Sequence, residues 1–198
     1  MDGFEARCGL VLALFAACMA ISDLFAGKYG DDEILLTAEK GSAYQWYQAK
    51  SIKQSLVEGE RDMLKALLKA GAVSEATRGA IEGLVTKLDK KSDKYDLQKT
   101  EILEGSAAVG EAKWAQEKDG KLGQLIGAKE HEARIEVLGK AGDHFDLASL
   151  FYQLALVLGA ISLVLKEERP RLAFFGMLVL LGLVGAGFTT SAMIAAMA

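Results

Sequence analysis

Proline is almost absent from this 198-residue chain, Pro170 being the one copy, and cysteine and histidine occur twice each. With so little proline, long stretches are free to run as uninterrupted helix. Cys8 and Cys18 fall in one apolar run, where a helix sets them about 15 Å apart along its axis, so they cannot bridge each other. No cysteine lies elsewhere, which excludes a disulfide framework and a Cys-based metal site. His131 and His144 do not form a ligand set with metal-site spacing, and Glu130-His131-Glu132 with Glu136 reads as a solvated helix face; no metal or other cofactor is expected. The chain has no excess of positive charge either. A net charge of -4 with both signs interspersed gives no basic field for nucleic acid, and no nucleic-acid motif is present. Gly-rich phosphate loops, Ser/His/Asp or Cys/His sets and paired carboxylates at a cleft are missing too, so no enzyme is expected.

What is present is segregated. Hydrophobic residues make up 51% of the chain and charged ones 25%, yet 40 of the 50 charged side chains lie between Lys28 and Asp143. The apolar remainder forms three candidate spans. Leu172 to Ala198 contains no ionisable side chain, and Phe145 to Leu165 is long enough as a helix to cross roughly 30 Å. The connector between them, Lys166 to Arg171, holds Pro170 and predicts a tight antiparallel hairpin. Cys8 to Phe25 is read as a retained anchor rather than a cleaved signal, because Asp2 and Glu5 outweigh Arg7 where a signal needs positive charge. A lipoprotein reading of Phe15-Ala16-Ala17-Cys18 is the weaker alternative, with Phe where an aliphatic residue is usual.

Lys166, Arg169 and Arg171 in the short connector predict that it is cytoplasmic. Counting spans outward, the N-terminus is then cytoplasmic, and 28–143 and the C-terminus are extracytoplasmic, or periplasmic in a Gram-negative cell. The expected location is the cell inner (plasma) membrane.

Between Lys28 and Asp143 the composition is that of helix. One helix reads through Tyr44, Tyr47, Ile52, Leu56, Met63, Leu64, Leu67 and Leu68 and ends at Gly71; Ser74 is the expected cap of the next. Ile81, Leu88, Tyr95, Ile102 and Val109 recur every seven residues, placing them on one seam as in a coiled coil. Leu84 and Ala112 suit the second seam position, but Lys91, Gln98 and Gly105 do not. Glycines at 105, 110, 120, 123 and 127 predict a break, with its bend at 120–127 and a helix over 130–138 returning to the bilayer.

The run Tyr44-Gln45-Trp46-Tyr47-Gln48-Ala49-Lys50-Ser51-Ile52-Lys53 resembles a bacterial membrane family known as domain of unknown function 4337. The resemblance extends over nearly the whole chain, through Lys94-Tyr95, Lys99 to Ile102 and His144-Phe145. It implies three spans with a helical insertion, and it brings no activity, ligand or catalytic residue. The chain departs from the family pattern in the glycine-rich stretch after Gly105.

The expectation is therefore an all-α integral membrane protein: an N-terminal transmembrane helix (1–27), an extracytoplasmic charged helical domain resembling a hairpin or coiled coil (28–143) and a C-terminal transmembrane hairpin (144–198). Tyr44, Trp46, Tyr47, Ile81, Leu88, Tyr95 and Ile102 are the candidates for packing or oligomer contact, with core packing favoured for the aromatic cluster. Small residues spaced by four, such as Gly9/Ala13/Ala17, Ala155/Gly159 and Gly182/Ala186, allow close helix approach in lipid. Asp23, Gln153, Thr189 and Thr190 are the polar residues available to a pore. The leading functional expectation is a non-enzymatic, self-associating scaffold or partner-binding stalk, whose partners are membrane lipid, further copies of itself and an envelope protein. The alternative is an oligomeric channel or transport accessory with the helical domain as a vestibule.

Overall fold

The computed structural model describes residues 3–197. Asp2, counted in the N-terminal charge balance, and Ala198, the end of the third apolar run, lie outside the described residues. The protein is all-helical, 88% helix, without a strand among the described residues. Helix α1 spans Gly3–Lys69, α2 Glu75–Glu104, the one-turn α3 Ser106–Val109, α4 Ala128–Val164 and α5 Glu168–Met197, with a 3-10 turn at Glu111–Lys113. Three of these, α1, α4 and α5, are long and apolar enough to cross a membrane. The chain divides into two compact units, 1–35 with 134–198 and 36–133. The sequence boundaries at 27/28 and 143/144 fall inside α1 and α4, which continue through them.

In the first unit the core is small and built by the three apolar helices. Cys8 and Phe15 of α1, Ala148, Tyr152 and Ala155 of α4, and Leu178 of α5 are buried together. Glycine makes the approach possible, because a Cβ on Gly182 would enter the Phe15 ring and one on Gly159 would meet Leu12. The Ala155/Gly159 and Gly182 positions thus pack helices within the chain, whereas a Cβ on Gly9 would touch nothing. Pro170 sits inside the first turn of α5 rather than in the connector. Its missing N–H costs nothing there, since the first turn has no intrahelical acceptor.

In the second unit α1 and α2 form a hairpin. Gly71, at φ 68°, closes α1 with the paired bonds of a Schellman turn: Gly71 N–H to the Leu68 carbonyl (3.3 Å) and Ala72 N–H to that of Leu67 (3.2 Å). Ser74 occupies the cap position of α2, but its hydroxyl pairs with that of Thr77 at 2.8 Å and not with a backbone amide. Among the covered positions, 36, 40, 43, 47, 50, 54, 57, 61, 64 and 68 of α1 and 78, 81, 85, 88, 92, 95, 98 and 102 of α2 follow steps of three and four that keep one seam facing a neighbour.

That register differs from the expected one. Val85 and Ser92 fill the second seam position, while Leu84 is exposed, because the step after Ile81 and Leu88 is four and not three. Val109 leaves the seam altogether, since α2 stops at Glu104 and Val109 belongs to α3. Ala112 lies in the 3-10 turn, also off the seam.

The break falls in the expected glycine-rich stretch and begins at Gly105; from there to Gly127 the chain holds only α3 and the 3-10 turn as helix. The helix expected at 130–138 is the start of α4, which continues without interruption to Val164.

Candidate functional site

The α1/α2 seam is unusually polar. Val57, Val85 and Ile102 are its buried apolar members; between them Ser92 donates to Glu58 (2.8 Å), and Gln54 donates to both Glu58 (3.1 Å) and Ser92 (3.3 Å). Toward the tip, Asp89 accepts from Arg61 (3.3 Å) and Lys65 (3.2 Å).

Toward the other end two cation–aromatic pairs cross the hairpin. The Lys50 ammonium lies 5.8 Å from the Tyr95 ring centre and Lys99 lies 5.7 Å from that of Tyr47. Lys50 also donates to Gln98 Oε1 at 2.8 Å. Burial, then the like charges of Lys53 and Lys94, hold the Lys50 amine below its ordinary pKa.

Tyr47, Ile81, Leu88 and Tyr95 are half-buried along the hairpin seam, and Ile102 is buried in it. Tyr44 and Trp46 are exposed, one residue to either side of the covered positions on α1, so they are not core residues of this chain.

The loop 105–127 is organised by a residue that sequence reasoning passed over. Glu101 is fully buried with no cation against it. Its Oε2 accepts the backbone N–H groups of Ala115 and Gln116, both at 2.8 Å, and its Oε1 accepts the Ser106 hydroxyl at 2.7 Å. Ser106 in turn accepts from Leu125 N–H at 2.9 Å, Trp114 donates to the Ser106 carbonyl, and Gln98 donates to that of Ala115, each at 2.8 Å. Such a carboxylate replaces the helix and sheet ladders that the loop lacks. Its only sequence signal is a Glu directly before Ile102 on the seam.

Against the outer face of α1, Leu125, Ile126 and Trp46 line a groove of about 630 Å³ with Ala38, Ser42 and Ala49. His131 sits in its wall, buried, with Nδ1 3.5 Å from Glu39. It is therefore not on a solvated helix face, although Glu132 beside it is, 3.7 Å from Lys40. No group of three or more metal-ligating side chains occurs among the described residues.

The apolar face continues along α1. Ile52 (55% exposed), Leu56 (68%), Met63 (61%) and Leu67 (40%) are uncovered. Each pairs with a seam residue two positions earlier or one later, so the stripe lies about 100–200° round the helix from α2. Lys53 and Glu60 lie two turns apart along one edge of it and have no ion-pair partner among the described residues.

In the membrane unit the candidate polar residues are dispersed. Thr189 accepts or donates within the bundle, to Ser22 (3.2 Å), the Gly185 carbonyl (3.1 Å) and Tyr152 (3.5 Å). Thr190 bonds back to the Ala186 carbonyl at 2.8 Å, Asp23 accepts from Ser149, and Gln153 is exposed. His144 meets the Ser191 hydroxyl at 3.1 Å.

The family model for domain of unknown function 4337 matches residues 4–195, and the chain belongs to that family. Comparison with curated proteins and with solved structures brings no match.

Proposed function

We propose that this chain is a non-enzymatic, self-associating inner-membrane protein whose helical unit 36–133, on the extracytoplasmic side, is a scaffold docking a second copy through the exposed face of α1. The observation that carries the reading is the stripe Ile52, Leu56, Met63 and Leu67. Its spacing continues that of the groove beside Trp46, and a soluble helix face without a partner rarely keeps so many large apolar side chains in register. Covering the exposed part of each contributes roughly 1–2 kcal/mol, which four residues in each of two copies multiply enough to offset the cost of association. The thin apolar core of the hairpin supports the same reading, because the α1/α2 seam by itself buries few apolar side chains.

Lys53 and Glu60, two turns apart along one edge of the stripe, give two antiparallel copies opposite charges to pair across a helix contact. The orientation rests on Lys166, Arg169 and Arg171 in the short connector.

A cysteine at Leu56 tests the contact in membranes, after Cys8 and Cys18 are replaced by serine or alanine. Leu56→Cys should cross-link to a chain dimer with a short bis-maleimide, and Glu82→Cys on exposed α2 should not. Equal cross-linking at both positions, or none at Leu56, overturns the reading.

A further inference from the structure

At one end of the membrane unit the first turn of α1 meets the start of α5. Phe4 lies edge-on to Phe175, with ring centres 5.4 Å apart, and the Arg171 guanidinium lies over the Phe4 ring, Cζ 3.8 Å from its centre. The Arg171 backbone is fixed: its N–H donates to the Glu167 carbonyl at 3.2 Å, and its carbonyl accepts from Ser162 at 3.0 Å. Its side chain is not. Nε and Nη2 are both shut off from solvent and have no hydrogen-bond partner. These two nitrogens form the side-on fork that grips a phosphate or carboxylate through two parallel bonds. Leaving such donors unpaired in a buried place is costly enough that an acceptor is expected.

Beside the guanidinium runs a groove of about 270 Å³ lined by Phe4, Glu168, Arg171 and Leu172. Its lining combines the apolar Phe4 and Leu172 with the charged Glu168 and Arg171. Lys166 of the connector and Arg169 of the first turn of α5 are exposed and have no ion-pair partner among the described residues.

We infer that this groove binds the phosphodiester of an anionic phospholipid, its phosphate oxygens taking the Nε/Nη2 fork of Arg171 after a turn about the Cδ–Nε bond and its acyl chains lying along Phe4 and Leu172. Three features select that ligand. The Glu168 carboxylate in the same groove disfavours a free phosphate dianion more than a singly charged diester. The apolar wall suits acyl chain and not water. Unpaired Lys166 and Arg169 repel the ammonium of a zwitterionic headgroup and attract an anionic one. The inference rests on the membrane reading and is independent of self-association.

The test is thermal unfolding of the full chain in mild nonionic detergent, with phosphatidylglycerol, phosphatidylcholine or inorganic phosphate added at equal concentration. Phosphatidylglycerol should raise Tm by about 5 °C or more, the size expected of a ligand well above its Kd, and the other two should leave it unchanged. Arg171→Gln should abolish the response, Arg171→Lys, which keeps charge without the fork, should lose more than half, and Lys87→Gln, on the exposed face of α2, should keep it. Native mass spectrometry of the wild type should show one retained phosphatidylglycerol per chain, a readout that stands even if Arg171→Gln fails to fold. An equal response to phosphate or phosphatidylcholine, an unchanged response in Arg171→Gln, or an equal loss in Lys87→Gln overturns the site. Leu56→Glu should bind lipid normally, so failure here is distinct from failure of the self-association reading.

Discussion

Gly127 lies with its backbone against that of Gly105: a Cβ added to Gly127 would enter the Gly105 amide and stand 2.5 Å from the carbonyl carbon of Glu104. The contact joins the start of α4 to the end of α2 and closes the 105–127 loop on itself. Glycine is required at 127 for space, and at 105 also for its φ of 90°. Gly127→Ala should therefore destabilise the helical unit by about 2 kcal/mol, as overpacking against backbone does. Hydrogen exchange checks it: amides of 101–127 should exchange faster while those of α5 are unchanged.

Glu101→Gln replaces one accepting oxygen by a donor, which then faces either the Ser106 hydroxyl or the amides of Ala115 and Gln116. The loss should be about 1–3 kcal/mol in the stability of the loop, as when buried donors lose their acceptor. Limited trypsin digestion reads it directly, with faster cleavage after Lys113, Lys118 and Lys121 and unchanged cleavage after Lys87.

The helices and their apolar ends were legible in the sequence because they depend on composition, length and the placing of glycine and proline. Gly71, Ser74 and the three spans are of this kind. The seam register was not, since Ile81, Leu88, Tyr95 and Ile102 fit a step of three or of four equally well; Ser92 takes the step of four after Leu88 and Gln98 the step of three after Tyr95, each through polar contacts with α1 that a hydrophobic pattern does not register. Glu101 and His131 were missed for a related reason. A charged or ionisable residue in a charged helix carries no sign of burial until a loop folds over it, and the loop's path was set by Gly105 and Gly127 rather than by any local periodicity.

Lys50 gives a prediction in pH. Its folded-state pKa is lowered from 10.5 by burial and by Lys53 and Lys94, so the unfolded chain binds the extra proton in the window just below 10.5. Stability contributed by this group should rise as pH climbs through that window, and the penalty of its charge should be present in full below it. Acylation by a succinimidyl ester, followed by peptide mass spectrometry, should show Lys50 reacting at lower pH in the wild type than in Lys53→Gln with Lys94→Gln.

Gly182→Ala places a methyl group in the Phe15 ring within the membrane unit and should lower Tm by several degrees. Adding Phe15→Leu should recover part of that loss, a coupling that only a direct contact produces. Gly9→Ala, with open space around it, should leave Tm unchanged within a degree or so.

The central claim is that the exposed face of α1 holds copies of this chain together. The most direct measurement is the protein mass of the purified chain in mild detergent, by light scattering, for the wild type and for Leu56→Glu with Met63→Glu. The account predicts a closed oligomer for the wild type and a folded monomer for the double variant, with helix content unchanged by circular dichroism. A wild-type monomer, or an oligomer that the double variant leaves intact, would contradict it.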